Sequence, residues 1–144
     1  MTTVLAIPLV LLFLFLSLLH VYWAAGGKWG SGAVIPTKDH HTKVMMPGAI
    51  PTLTVAFGLL FFGGVVFLNA FDTSLNTLPG VGLIRKYGLW AIAVIFTIRA
   101  VGDFNYVGFF KKIRNTAFAR NDTRYYSPLC LLIGALAIIL QLSK

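Results

Sequence analysis

From Val4 to Ala25 the chain reads VLAIPLVLLFLFLSLLHVYWAA, without one charged side chain. At 1.5 Å of rise per residue, a helix of that length covers the roughly 30 Å hydrocarbon layer of a bilayer. A helix on the surface of a soluble protein keeps a polar face, and here only Ser17 and His20 interrupt the apolar run. Three further apolar blocks follow, which places the expected spans at 4–25, 46–71, 82–106 and 127–142. The blocks are continuously apolar rather than alternating, which selects helices over barrel strands. Composition closes off the soluble alternative. Only 11% of the residues are charged, none is Glu, and the mean hydropathy is +0.83, against about 25% charged in ordinary soluble domains. The expected fold class is all-α: one integral membrane four-helix bundle occupying 1–144.

Local signals set the boundaries. Gly26, Gly27, Gly30 and Gly32 break the first helix, and Asn76 to Gly80 reads as a turn. Ser127–Pro128 has the form of an N-cap followed by a first-turn proline. Pro47 suits the same role, and Pro51 should bend the second helix slightly. The first block is read as a retained helix, because it lacks a basic leader and exceeds the usual apolar core of a signal peptide.

Charge sets the orientation. The first loop carries Lys28, Lys38 and Lys43, and the third carries Lys111, Lys112, Arg114, Arg120 and Arg124. The opposite side offers Arg85, Lys86 and Lys144. The positive-inside rule then makes the first and third loops cytoplasmic and leaves both termini outside. The net charge of +8 is thereby assigned to topology and to anionic headgroups, worth about 1 kcal/mol per basic residue near the surface. Lys111, Lys112, Arg114, Arg120 and Arg124 are the expected headgroup contacts. No basic domain stands clear of the membrane, so nucleic acid is not expected as a partner. In the third loop, Tyr106, Phe109, Phe110, Ile113 and Phe118 recur at near-helical spacing. That pattern fits an interfacial helix over 107–120 or a continuation of the third helix.

Ionisable residues inside spans are costly and mark candidate sites. Arg99 lies deep in the third block, with Asp103 at i+4 and Tyr106 at i+7 on the same helical face. An Arg99–Asp103 ion pair is expected, either to make the arginine tolerable at that depth or to bind a ligand. His20 falls at similar depth on the first helix. Together His20, Tyr22, Trp23, Arg99, Asp103 and Tyr106 outline a cytoplasm-facing pocket. The competing reading is a histidine bonded to a neighbouring helix within an aromatic belt. Cys130, the single cysteine, excludes an internal disulfide and reads as small apolar filler. No catalytic residue, metal or cofactor is assigned. Asp39, His40 and His41 sit together in a loop with no further partner at fixed spacing, and a bis-histidine haem needs a second intramembrane histidine. Gly58, Gly63, Gly64 and Gly134 offer flat surfaces for helix contact.

Three separated strings carry a family likeness. They are Leu19-His20-Val21-Tyr22-Trp23-Ala24-Ala25-Gly26-Gly27 with Trp29-Gly30 and Pro36-Thr37; the run Arg99 to Lys112 (RAVGDFNYVGFFKK); and Asp122 to Cys130 (DTRYYSPLC). Over nearly its whole length the chain resembles a family of small bacterial membrane proteins catalogued as domain of unknown function 3995. The resemblance implies a bacterial four-helix membrane protein and carries no activity with it.

The functional expectation is a multi-pass protein of the bacterial inner (cytoplasmic) membrane that binds or passes a small molecule or lipid, without catalysis. Two alternatives stand beside it. One is an accessory subunit of a larger membrane complex, or a homo-oligomer. The other is a lipid-modifying enzyme with His20 as base and Arg99 holding an anionic group.

Overall fold

The computed structural model describes residues 2–36 and 47–143. Asp39, His40, His41, Lys38, Lys43 and Lys144, which entered the charge and metal readings, lie outside the described residues. Among the described residues there is no strand. Six α-helices follow one another: α1 (Thr2–Ala24), the single turn α2 (Ser31–Val34), α3 (Ala49–Ala70), α4 (Val81–Val101), α5 (Ala117–Asn121) and α6 (Ser127–Leu142). A 3₁₀ turn (Ser74–Thr77) lies between α3 and α4, and a π-helical turn (Asp122–Tyr126) joins α5 directly to α6. Among the described residues, four helices are long and apolar enough to cross a membrane: α1, α3, α4, and the continuous stretch Ala117–Leu142.

The bundle is built from two helix pairs. α1 packs on α3 and α4 packs on α6, and smaller contacts of α3 with α4 and of α1 with α6 join the pairs. Small residues set the approach within each pair. A Cβ added at Gly63 of α3 would stand 3.3 Å from Phe13 Cβ of α1. One at Gly134 of α6 would stand 3.0 Å from Thr97 Oγ1 and 3.3 Å from the Ala93 carbonyl of α4. Gly58 and Gly64 have no such neighbour, so only part of the expected glycine surface is used. At the centre, Phe13, Phe62 and Phe96 form an aromatic triangle with ring centroids 5.9, 5.6 and 5.9 Å apart. Ser17 Oγ donates to the Ala56 carbonyl at 2.8 Å, a polar tie between helices of a kind apolar surroundings favour. The outward faces are apolar as well: Leu11, Phe15, Phe57, Phe61 and Ile98 are all exposed. A helix that is apolar all round belongs in a bundle core or in lipid, and these faces are outside the core.

Two boundaries differ from the sequence expectation. α4 stops at Val101 rather than running to 106, because Gly102 takes φ 93° and turns the chain away. Residues 102–116 are irregular, and the expected interfacial helix over 107–120 is reduced to Ala117–Asn121. Its N-cap is Thr116, whose Oγ1 accepts from the Ala119 N–H at 3.1 Å. Ser127 is therefore not a cap, and Pro128 lies inside a continuous helix. A proline there lacks the N–H that would bond four residues back and crowds that carbonyl. The wider turn at Asp122–Tyr126, with the Ser127 N–H reaching the Asp122 carbonyl, absorbs both effects.

Candidate functional site

The third loop folds on its own backbone. The Gly102 N–H closes α4 on the Ile98 carbonyl at 2.8 Å, and the chain then doubles back so that the Phe109 N–H donates to the Ala100 carbonyl at 2.9 Å. Gly102 and Gly108, with φ of 93° and 90°, meet backbone to backbone at the crossing. A Cβ on either would run into the opposing main chain. Asp103 stands at the turn, where its Oδ1 accepts from the N–H groups of Asn105, Tyr106 and Val107 at 2.9, 2.7 and 2.9 Å. Those amides, Val107 first, hold its carboxyl below the ordinary value of 3.8. Asp103 is therefore a loop organiser. The expected Arg99–Asp103 pair is not formed, because the helix that would have put them on one face ends before Asp103.

The partner of Arg99 comes from 23 residues further along. Arg99 Nη2 donates to Asp122 Oδ1 at 3.0 Å. Asp122, with a fully buried side chain, accepts at Oδ2 from the Gly108 N–H at 2.8 Å, Lys111 Nζ at 3.0 Å and Ser127 Oγ at 3.2 Å. Lys111 is itself only 1% exposed. Its ammonium also donates to the Gly108 carbonyl at 2.8 Å and to Thr123 Oγ1 at 2.6 Å. Lys111 is thus removed from the expected headgroup contacts: it sits inside the protein, where an unpaired ammonium would be prohibitive. Lys112, Arg114, Arg120 and Arg124 remain exposed. The π turn carries Asp122 into the cluster and brings Ser127 within reach of the same carboxylate. Asp122 is not among the candidate site residues read from the sequence. The available signal was scarcity: the chain has four acidic residues in all, and an arginine within a span needs one of them.

Beside this cluster lies a cavity of about 430 Å³, within the range usual for small-molecule sites. His20 and Trp23 of α1, Pro51 and Val55 of α3, Arg99 of α4, and Tyr126 are among its lining. The cavity between Thr2, Asn69 and Leu140 is about 10 Å³, room for one water at most. Of the six candidate pocket residues, His20, Trp23 and Arg99 line the larger cavity, and Tyr22, Asp103 and Tyr106 do not. Tyr22 instead packs its ring on Gly27 and accepts from the Trp29 N–H at 3.4 Å. Trp23 is pinned by its Nε1–H, which donates to the Trp29 carbonyl at 2.8 Å, and its ring meets His20 edge-on at 5.1 Å. The Tyr126 hydroxyl donates to the Ala33 carbonyl at 3.3 Å, so the segment around α2 is tied to both walls.

Two polar groups stand out on this apolar lining. His20 Nδ1 lies 2.7 Å from the Leu16 carbonyl of its own helix. A carbonyl only accepts, so Nδ1 carries the proton, and a neutral ring keeps its lone pair at Nε2. Arg99 spends Nη2 on Asp122, and its Nη1 is buried without a hydrogen-bond partner among the described residues. Among the described residues no three His, Cys, Asp or Glu side chains gather as a metal site.

A family described as "Protein of unknown function (DUF3995)" matches residues 13–137. The match spans all three segments that build the site: the end of α1, the doubled loop after Arg99, and the π turn. No curated protein and no solved structure matches the chain.

Proposed function

We propose that this chain, which belongs to the DUF3995 family, is a multi-pass protein of the bacterial inner membrane that binds or passes a small molecule or lipid, without catalysis, through a cytoplasm-facing pocket. The observation that carries this reading is the cavity of about 430 Å³ bounded by His20, Trp23 and Arg99. Its walls are otherwise dominated by Leu, Val, Ile and Pro, as expected for a site that buries an apolar ligand and orients it with a few polar groups. The cytoplasmic orientation is supported by charge. The exposed Lys112, Arg114, Arg120 and Arg124 lie in the same loop region as the site, and short loops rich in Lys and Arg remain inside. In that orientation these four side chains meet anionic headgroups.

Native mass spectrometry of the protein released gently from membranes tests the reading. A retained small molecule or lipid, lost when Leu19→Trp fills the cavity, is the expected result. Protein that carries nothing and takes up no added amphiphile overturns it. A stoichiometric second polypeptide with no small ligand would favour the accessory-subunit alternative instead.

A further inference from the structure

The charges around Asp122 do not balance, and the imbalance has an address. Among the described residues of the cluster, two cations, Arg99 and Lys111, share one carboxylate. Lys111 has three donors and three acceptors: Asp122 Oδ2, the Gly108 carbonyl and Thr123 Oγ1. It has no hydrogen left to offer. The surplus positive charge therefore falls on Arg99, which is also where the unmet donor is. Its Nη1 is buried and has no hydrogen-bond partner among the described residues, while its side chain as a whole is 34% exposed and lines the cavity. A guanidinium presents a planar fork of donors suited to carboxylate and phosphate oxygens. Beyond Arg99 the lining includes Leu16, Leu19, Val55, Ile35 and Phe118, and among the described residues no acidic side chain.

Resting on the binding reading above, we infer that the pocket takes an acyl-chain amphiphile with an anionic head, its head oxygens on the partly exposed Arg99 guanidinium and its chain along the apolar wall. A fatty carboxylate and a lysolipid phosphate monoester share this chemistry. An oriented arginine hydrogen bond to a charged oxygen contributes about 1.5–3 kcal/mol, so an anionic head should bind at least about ten-fold more tightly than a neutral head on the same chain.

The experiment titrates the full chain, stripped of lipid in a neutral detergent, with oleate, 1-oleoyl lysophosphatidate, oleyl alcohol and sodium acetate. The expected result is binding of at least one of the two anionic amphiphiles about ten-fold tighter than the alcohol, with acetate ineffective. The tighter of the two names the source of the head. The preference should shrink to about unity in Arg99→Gln, and Leu19→Trp should abolish oleate and alcohol binding alike. Should Arg99→Gln fail to fold, the comparison of heads in the unaltered chain still decides. Equal binding of alcohol and both anions overturns the anionic head and leaves the pocket reading standing. Failure of every long-chain compound overturns both. Acetate competing as well as oleate, or oleate binding unimpaired in Leu19→Trp, also overturns this assignment.

Discussion

Asp122 and Asp103 are both carboxylates of the third loop region, yet their surroundings give them opposite weights. Asp122 is fully buried between two cations, and removing the charge from one member of such a group leaves the others uncompensated, at a cost of about 3–5 kcal/mol. Asp122→Asn should therefore lower the thermal unfolding temperature in detergent sharply, and a change no larger than that of an exposed substitution would refute the cluster's structural role. Asp103 is exposed and acts through three amides. Its carboxyl is held below 3.8 in the folded state. Its stabilisation is thus complete above the unfolded value and is lost as pH falls through the lower folded one. Comparing unfolding temperatures from about pH 5 to about pH 3, Asp103→Asn should show a flatter acid decline than the parent. Parallel declines would contradict the assignment.

At the level of elements, glycines that look alike in sequence do different work. Gly102 and Gly108 combine left-handed φ with direct backbone contact, so neither strain nor collision can be relieved by moving a side chain. Gly64 has open space around it. Gly102→Ala should cost several kcal/mol, above the roughly 1–3 kcal/mol of an overpacked core, and should release the Asp122 cluster with it. Gly64→Ala should leave the unfolding temperature within a degree or two of the parent, in line with the small effect of open surface sites. Hydrogen exchange at the Gly108 amide, which donates to Asp122, reads the loop directly: accelerated in Gly102→Ala, unchanged in Gly64→Ala. The fourth span shows how a local rule is overridden. Ser127–Pro128 has the composition of a helix start, but Thr116 caps the helix eleven residues earlier. The π turn then lets the proline be passed through rather than obeyed.

For the molecule as a whole, the two pairs α1–α3 and α4–α6 present their site where the C-terminal ends of α1 and α4 meet the N-terminal ends of α3 and of the Ala117–Leu142 helix. The proposed orientation puts that end in the cytoplasm. A reporter active only outside the cytoplasm should therefore work when inserted between α3 and α4, and fail when inserted after Gly30. The reverse pattern would invert the topology. Neutralising Lys112, Arg114, Arg120 and Arg124 together should weaken association with anionic vesicles by about 1 kcal/mol per residue at low salt. Lys111→Met should not add to that loss, because Lys111 is already buried.

Span number, helical class and the basic character of one end were all legible in the residues, since each follows from local hydropathy and charge. His20, Trp23 and Arg99 were legible as candidates for the same reason: a polar or aromatic group within an apolar run is visible without a fold. What Arg99 pairs with was not. Asp103 at i+4 was the natural partner only while α4 was taken to continue, and one glycine at φ 93° ended that. The true partner lies 23 residues on and arrives through a doubled loop and a π turn, so no window along the chain contains the pair. Lys111 was misplaced on the surface by the same blindness, because a lysine among phenylalanines looks interfacial until a buried carboxylate is brought to it. The sequence by itself determined that the chain is a set of four apolar helices with scarce charge. Only the tertiary structure decided which charges neutralise each other, because the groups that meet around Asp122 come from segments far apart in the chain.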